Sequence, residues 1–225
     1  GLLAGDSRVV REIQRRHNVG EYTPYPFVSM LMTSLMWTLY GSATGDPLVL
    51  GVNTVGIAAA AYFTFAYATV AGESLKLKAL VAIAVGLPAY AMYLLYGPGA
   101  GVGAVGTVGS MATGVTLLMF AAPMAKLREV VATKSAASIP LPISLAQTLQ
   151  CAAWAFYGRA MADPHIVVPN LVGFALGVAQ LFLIAKYGRS IAVLPLTRAD
   201  VAGGGKRPLS PGARRREGAV FVPRF

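Results

Sequence analysis

The chain has 225 residues, 56% of them apolar, a mean hydropathy of +0.60 and only 12% charged residues. A soluble domain averages about 25% charged residues, so a chain this apolar needs a bilayer as part of its solvent. The formal net charge of +10 would suit a nucleic-acid binder by amount, but the positions of the charges argue against it, and no nucleic-acid partner is expected.

In chain order, residues 6–23 are polar and basic and read as a loop or a short surface helix. Pro24 and Pro26 open an apolar span that reaches Gly41, and Gly45-Asp46-Pro47 makes a tight turn. A second span covers 47–71 and is followed by the charged loop Gly72–Lys78. A third runs over 79–96 with Pro88 inside it. After the Gly97-Pro98-Gly99 turn, residues 100–124 form a fourth span studded with Gly103, Gly106, Gly109 and Gly114, small residues that let helix backbones approach closely in lipid. A basic loop leads to a fifth span at 139–157, opened by Pro140 and Pro142, and a sixth at 164–187. From Gly188 onward the Gly-, Pro- and Arg-rich tail lacks apolar periodicity and reads as disordered. No Asp, Glu, Lys or Arg lies in the middle of a span, where one would cost about 2.5–3.5 kcal/mol to insert.

Two stretches repeat. Trp37-Thr38-Leu39-Tyr40-Gly41, Asp46-Pro47, Asn53 and Gly56 return as Trp154-Ala155-Phe156-Tyr157-Gly158, Asp163-Pro164, Asn170 and Gly173, without a gap and at a constant offset of 117. Arg11-Glu12 fall on Arg128-Glu129 in the same register. A fixed offset marks a duplicated unit. The expected architecture is an all-α membrane protein of two parallel three-helix repeats joined by a linker helix, three plus one plus three. Its units are 1–71, a linker at 72–101, a second repeat at 102–187 and a disordered basic tail at 188–225. The apolar run at 102–122 has only five residues before Asp6 as its counterpart, so the first helix is expected to be mostly missing.

Of the 19 basic residues, all but Arg159 fall in alternate loops or the tail, which the positive-inside rule makes cytoplasmic. The odd helix between the repeats keeps both in one orientation, a transporter design with its site between the halves. The single cysteine, Cys151, excludes an internal disulfide and a cysteine-cage metal site, and no metal or cofactor is expected. No pair of carboxylates, or nucleophile with a base, occurs within the spans, so an enzyme is not expected.

These residues together resemble the SWEET sugar transporters. The likeness is carried by Trp37 with Tyr40-Gly41, Asn53, Ala121-Ala122-Pro123, Lys134-Ser135 before Pro140, Trp154 with Tyr157-Gly158, and Pro169-Asn170 with Gly173. It covers about residues 2–187. It implies a homo-oligomer moving a sugar in both directions across the plasma membrane, or a vacuolar or other endomembrane, with the tail in the cytoplasm. It places Trp37, Asn53, Trp154 and Asn170 in the sugar pocket, flanked by Leu2, Thr33, Thr116, Met119 and Gln150. It assigns hinges to Pro123 and Pro140, and to Pro24 or Pro26 in the first half. Asp6 stands where the family usually has a proline.

The chemistry suits such a pocket. Indole faces cover the CH-rich faces of a pyranose, each indole adds one N–H donor, and a carboxamide both donates and accepts without bringing charge. The bulk of Met119 and Gln150 favours a monosaccharide. Asp46 and Asp163 sit at helix starts, where a carboxylate caps backbone N–H groups, so passive uniport is expected. Two other readings stay open at this point: an amino-acid carrier of the PQ-loop type, although Asp6-Ser7 and Pro123-Met124 replace its Pro-Gln pairs, and a membrane sorting receptor on the same scaffold. Besides the sugar, the expected partners are membrane lipids.

Overall fold

The structure, a computed structural model, describes residues 2–188 apart from 21, 73 and 102, with side chains from residue 9 onward. The tail from residue 189, with its expected disorder, lies outside the described residues, as do the side chains of Leu2 and Asp6. Regular structure among the described residues is entirely helical. It comprises α1 (Leu2–Arg16), α2 (Tyr25–Thr44), α3 (Pro47–Ala71), α4 (Leu75–Tyr96), α5 (Ala104–Met119), α6 (Ala121–Thr133), α7 (Leu141–Ala160) and α8 (Pro164–Tyr187).

Only Phe120 separates α5 from α6. The Phe120 N–H tightens onto the Leu117 carbonyl at 3.1 Å, and Pro123 has no N–H to offer the carbonyl four residues back. The pair therefore forms one interrupted rod, giving seven rods among the described residues. Four of them, Pro47–Ala71, Leu75–Tyr96, Ala104–Thr133 and Pro164–Tyr187, are long and apolar enough to cross a bilayer. The 20-residue helices α2 and α7 line the central cavity together with α3, α5 and α8.

Two sequence expectations need correction, and one open choice closes. Residues 6–16, read as part of a loop or a short surface helix, are helical, with Val10 and Ile13 fully buried against Phe63 and Tyr67 of α3. The stretch read as a basic loop after residue 124 continues as helix to Thr133, where Lys134 adopts a left-handed conformation (φ 52°). The third span starts earlier than residue 79, at Leu75, because Ser74 accepts the Leu77 N–H and so supplies an N-cap.

Within each repeat a helix pair meets at the same small residues. A Cβ on Gly41 would lie 2.8 Å from the Leu50 nitrogen, and one on Gly158 would lie 2.8 Å from Ile166 Cγ2 and 3.0 Å from the Val167 nitrogen. About two turns further along each pair, a Cβ on Gly56 would lie 2.6 Å from Ser34 Oγ, and one on Gly173 would lie 2.6 Å from Cys151 Sγ. Where lipid is the alternative neighbour, such close contact rather than water expulsion holds helices together. The two pairs then share a core in which Met36, Trp37 and Tyr40 of α2, Ala91 of α4, Val108 and Ala112 of α5 and Ile166 of α8 pack as one cluster.

Candidate functional site

A cavity of about 200 Å³ sits above the seam between the halves. Trp37 and Thr33 reach it from α2, Asn53 from α3, Thr116 from α5, Gln150 and Trp154 from α7, and Asn170 from α8. Of the nine side chains expected from the sequence, Leu2 lies outside the described side chains and seven of the other eight converge. Met119 does not line the cavity: it stands behind Thr33, whose hydroxyl lies 2.9 Å from the Met119 sulfur.

The sequence reading missed three apolar lining residues, Val49, Val52 and Ile166. A signal for two of them was present, since Val49 and Ile166 stand four residues before the two asparagines. That is the spacing at which a helical side chain meets a carbonyl. The Asn53 Nδ2 donates to the Val49 carbonyl at 2.8 Å, and the Asn170 Nδ2 to the Ile166 carbonyl at 2.8 Å. A carbonyl partner fixes each amide's orientation, because only the NH₂ end can donate. Each carboxamide keeps its oxygen and a second N–H for the cavity, and neither makes another hydrogen bond among the described residues.

The two indoles are braced alike but not bonded alike. Trp37 meets Tyr40 edge to face at 5.7 Å, and Trp154 meets Tyr157 edge to face at 5.6 Å. The Trp37 Nε1–H donates to Thr116 Oγ1 at 2.9 Å, and that hydroxyl donates in turn to the Ala112 carbonyl at 2.9 Å. The expectation that each indole offers its N–H to a ligand does not hold for Trp37, which spends its N–H on the other repeat. The Trp154 N–H has no hydrogen-bond partner among the described residues.

One turn beyond the tryptophans the halves are clasped. The Tyr40 hydroxyl donates to Asp163 Oδ2 at 2.8 Å, and the Tyr157 hydroxyl lies 2.9 Å from both oxygens of Asp46. Each aspartate is also the N-cap of its helix, as expected. Asp46 accepts the N–H groups of Leu48 and Val49, and Asp163 those of His165 and Ile166. Each tyrosine thus binds the capping residue of the opposite repeat. The capped N–H groups and the phenols solvate the carboxylates at the rim, so no charge enters the cavity.

The prolines expected as hinges mark helix starts. Pro24 and Pro140 are the N-cap residues of α2 and α7, Pro26 lies in the first turn of α2, and Pro123 lies in the first turn of α6, beside the Phe120 interruption.

A family model described as a sugar efflux transporter for intercellular exchange matches residues 7–75 and 106–191, two segments that bracket most of α4. Among curated proteins, the chain is 35% identical over 197 residues to the bidirectional sugar transporter SWEET16 of Oryza sativa, covering 84% of this chain and 59% of that protein. It is 29% identical over 189 residues to the sugar transporter SWEET1 of Rattus norvegicus, covering 83% of this chain and 85% of the relative. Among solved structures it resembles a eukaryotic SWEET transporter, with a TM-score of 0.74 and 25% identity over 83% of this chain and 89% of the other.

Proposed function

We propose a sugar uniporter, from the premise that this chain belongs to the SWEET family of sugar transporters and is an integral membrane protein. The observation that carries the proposal is the cavity itself: a space of about 200 Å³ whose lining pairs two indoles with two asparagine carboxamides and contains no ionisable group. A few polar groups in an otherwise apolar pocket orient a neutral ligand. The size suits one hexose ring better than two. Trp154 and the two asparagines offer the hydrogen bonds, while Trp37 offers its face.

Alternating access follows from where the clasp lies. The Tyr40–Asp163 and Tyr157–Asp46 bonds close the cavity at the end where α3 and α8 begin. Loops at that end carry only Arg159 of the basic residues, so we assign it to the outside and the tail to the cytoplasm. The state described is closed outward, and rocking of the halves about the helix starts at Pro24 and Pro140 would exchange the two openings. The plasma membrane and a homo-oligomeric assembly are the setting we assign. The matched region is 59% of the length of the rice relative, so activity is to be measured on the full chain.

The test is uptake of radiolabelled glucose, fructose and sucrose in transport-deficient cells. Asn53→Ala and Asn170→Ala should each abolish flux at unchanged surface expression; normal uptake in both variants removes the cavity from the pathway. With no ionisable group lining the cavity, an imposed pH gradient should leave the steady-state sugar distribution unchanged, and accumulation driven by the gradient would refute uniport.

A further inference from the structure

A second cavity, larger than the first at about 760 Å³, opens far from the clasp between α3 and α4, with Leu31 of α2 as its floor. Its walls are apolar through Phe65, Ala68 and Val81, and its mouth carries Ser74 and Lys78. The buried α3 residues that cluster with Val10 and Ile13 of α1 are Phe63, Ala66 and Tyr67, and none of these lines the groove.

One side chain in this groove is unusual. Several helical threonines turn their hydroxyls back onto their own helix: Thr54, Thr107, Thr133 and Thr148 each donate to the carbonyl four residues earlier. Thr64, like Thr38 of α2, does not: its buried Oγ1 has no hydrogen-bond partner among the described residues. Of the two, only Thr64, 8% exposed, lines the groove. A buried hydroxyl without a partner is costly, most of all where the surroundings are hydrocarbon, and it points to a polar atom supplied by a ligand.

The depth of the groups narrows the chemistry. At about 1.5 Å per helical residue, Thr64 lies about 12 Å along α3 from Gly72, and Lys78 about 6 Å along α4 from Ser74. A cation near the mouth and a hydroxyl donor about 6 Å deeper match the separation of a lipid phosphate from its ester carbonyl, and Leu31, Phe65 and Val81 give the groove apolar walls beside them. Basic groups at the end of a helix pair attract lipid phosphates. Lys78 has an interaction of its own within the protein, which a phosphate would share.

We propose that this groove binds one glycerophospholipid of the leaflet on the basic side, with its phosphate on Lys78, an ester carbonyl accepting the Thr64 hydroxyl, and an acyl chain lying over Leu31 and Phe65. The proposal needs only that the chain spans a membrane and is independent of what the central cavity carries.

Native mass spectrometry of the full chain in detergent tests it, with phosphatidylglycerol and diacylglycerol of identical chains as the two probes. Phosphatidylglycerol should be retained one to one and in preference to diacylglycerol. Lys78→Gln should lower phosphatidylglycerol occupancy about fivefold and leave diacylglycerol unchanged. The near-isosteric Thr64→Val should lower both, and Ala68→Phe, which fills the trough, should abolish both. Glucose binding, followed by tryptophan fluorescence, should be unchanged in all three variants, which separates this site from the transport reading. Equal retention in the wild-type chain and all three variants would overturn the proposal. So would an Ala68→Phe variant that keeps its lipid but loses its oligomer, since a second copy of the chain would then be the occupant.

Discussion

The two repeats bring the same tryptophan and the same asparagine to the cavity, but they hold them with unequal firmness. Trp37 is 9% exposed and tied through its indole N–H to Thr116, whereas Trp154 is less buried and makes no such bond among the described residues. The clasp is lopsided in the same sense: Asp46, 7% exposed, meets Tyr157 with both oxygens, and the half-buried Asp163 meets Tyr40 with one. Duplication supplied the parts in matched pairs, while the environment decides which member is fixed and which stays available. A sugar ring has no two-fold axis, so a pocket that orients one, as proposed above, gains from that inequality.

The largest test of the inequality is at the clasp. Asp46→Ala removes a cap, about 0.5–2 kcal/mol, together with the charged acceptor of the Tyr157 phenol. Asp46→Ala should therefore lower unfolding stability in detergent by more than Asp163→Ala does. Equal losses in thermal melts would mean that burial does not distinguish the two ends of the clasp.

A smaller effect is expected at Thr116. Thr116→Val keeps the shape and removes the acceptor for the Trp37 N–H, a loss of about 1 kcal/mol that corresponds to a change in sugar affinity of about fivefold. Trp154→Phe, which removes the uncommitted donor, should weaken binding more than Trp37→Phe does in the Thr116→Val background. The reverse order, read by fluorescence titration or inhibition of uptake, would transfer the donor role to the first repeat.

The smallest effect concerns the repeated Arg-Glu pair. Arg16, and then Arg15, hold the Glu12 carboxyl below its ordinary carboxylate range, while Glu129 pairs with Lys126 at 3.1 Å. A carboxyl with a lowered folded-state pKa contributes its stability above the unfolded-state value and loses it as the pH falls through the folded-state value. Acidification from neutrality to below the carboxylate range should loosen α1 slightly, and Glu12→Gln should remove that dependence. Hydrogen exchange of α1 as a function of pH is the measurement; a helix that tightens on acidification contradicts the sign.

The duplicated register was legible in the chain because a residue pair spaced identically in two copies has no local explanation. That register led from Trp37 to Trp154 and from Asn53 to Asn170, and to the side chains that line one cavity. Tyr40, Asp46, Tyr157 and Asp163 were part of the same repeated motif, yet their exchange across the halves was not legible. A cap explains an aspartate within its own helix, and nothing in a linear motif says that the phenol reaching it belongs to the other copy. Thr116 was named for the pocket, but its bond to Trp37 depends on how closely α5 approaches α2. The helical continuation through Lys126 and Arg128 was hidden by its charge, which marks the edge of the bilayer rather than the end of the helix.

The absence of formal charge along the cavity has an electrical consequence. An ion moved through the full membrane field exchanges about 2.3 kcal/mol with it per 100 mV. A neutral polyol carried between neutral walls exchanges nothing, and the two carboxylates stay at the rim. Membrane voltage then has no grip on the cycle, and net flow turns around when the concentrations on the two sides do.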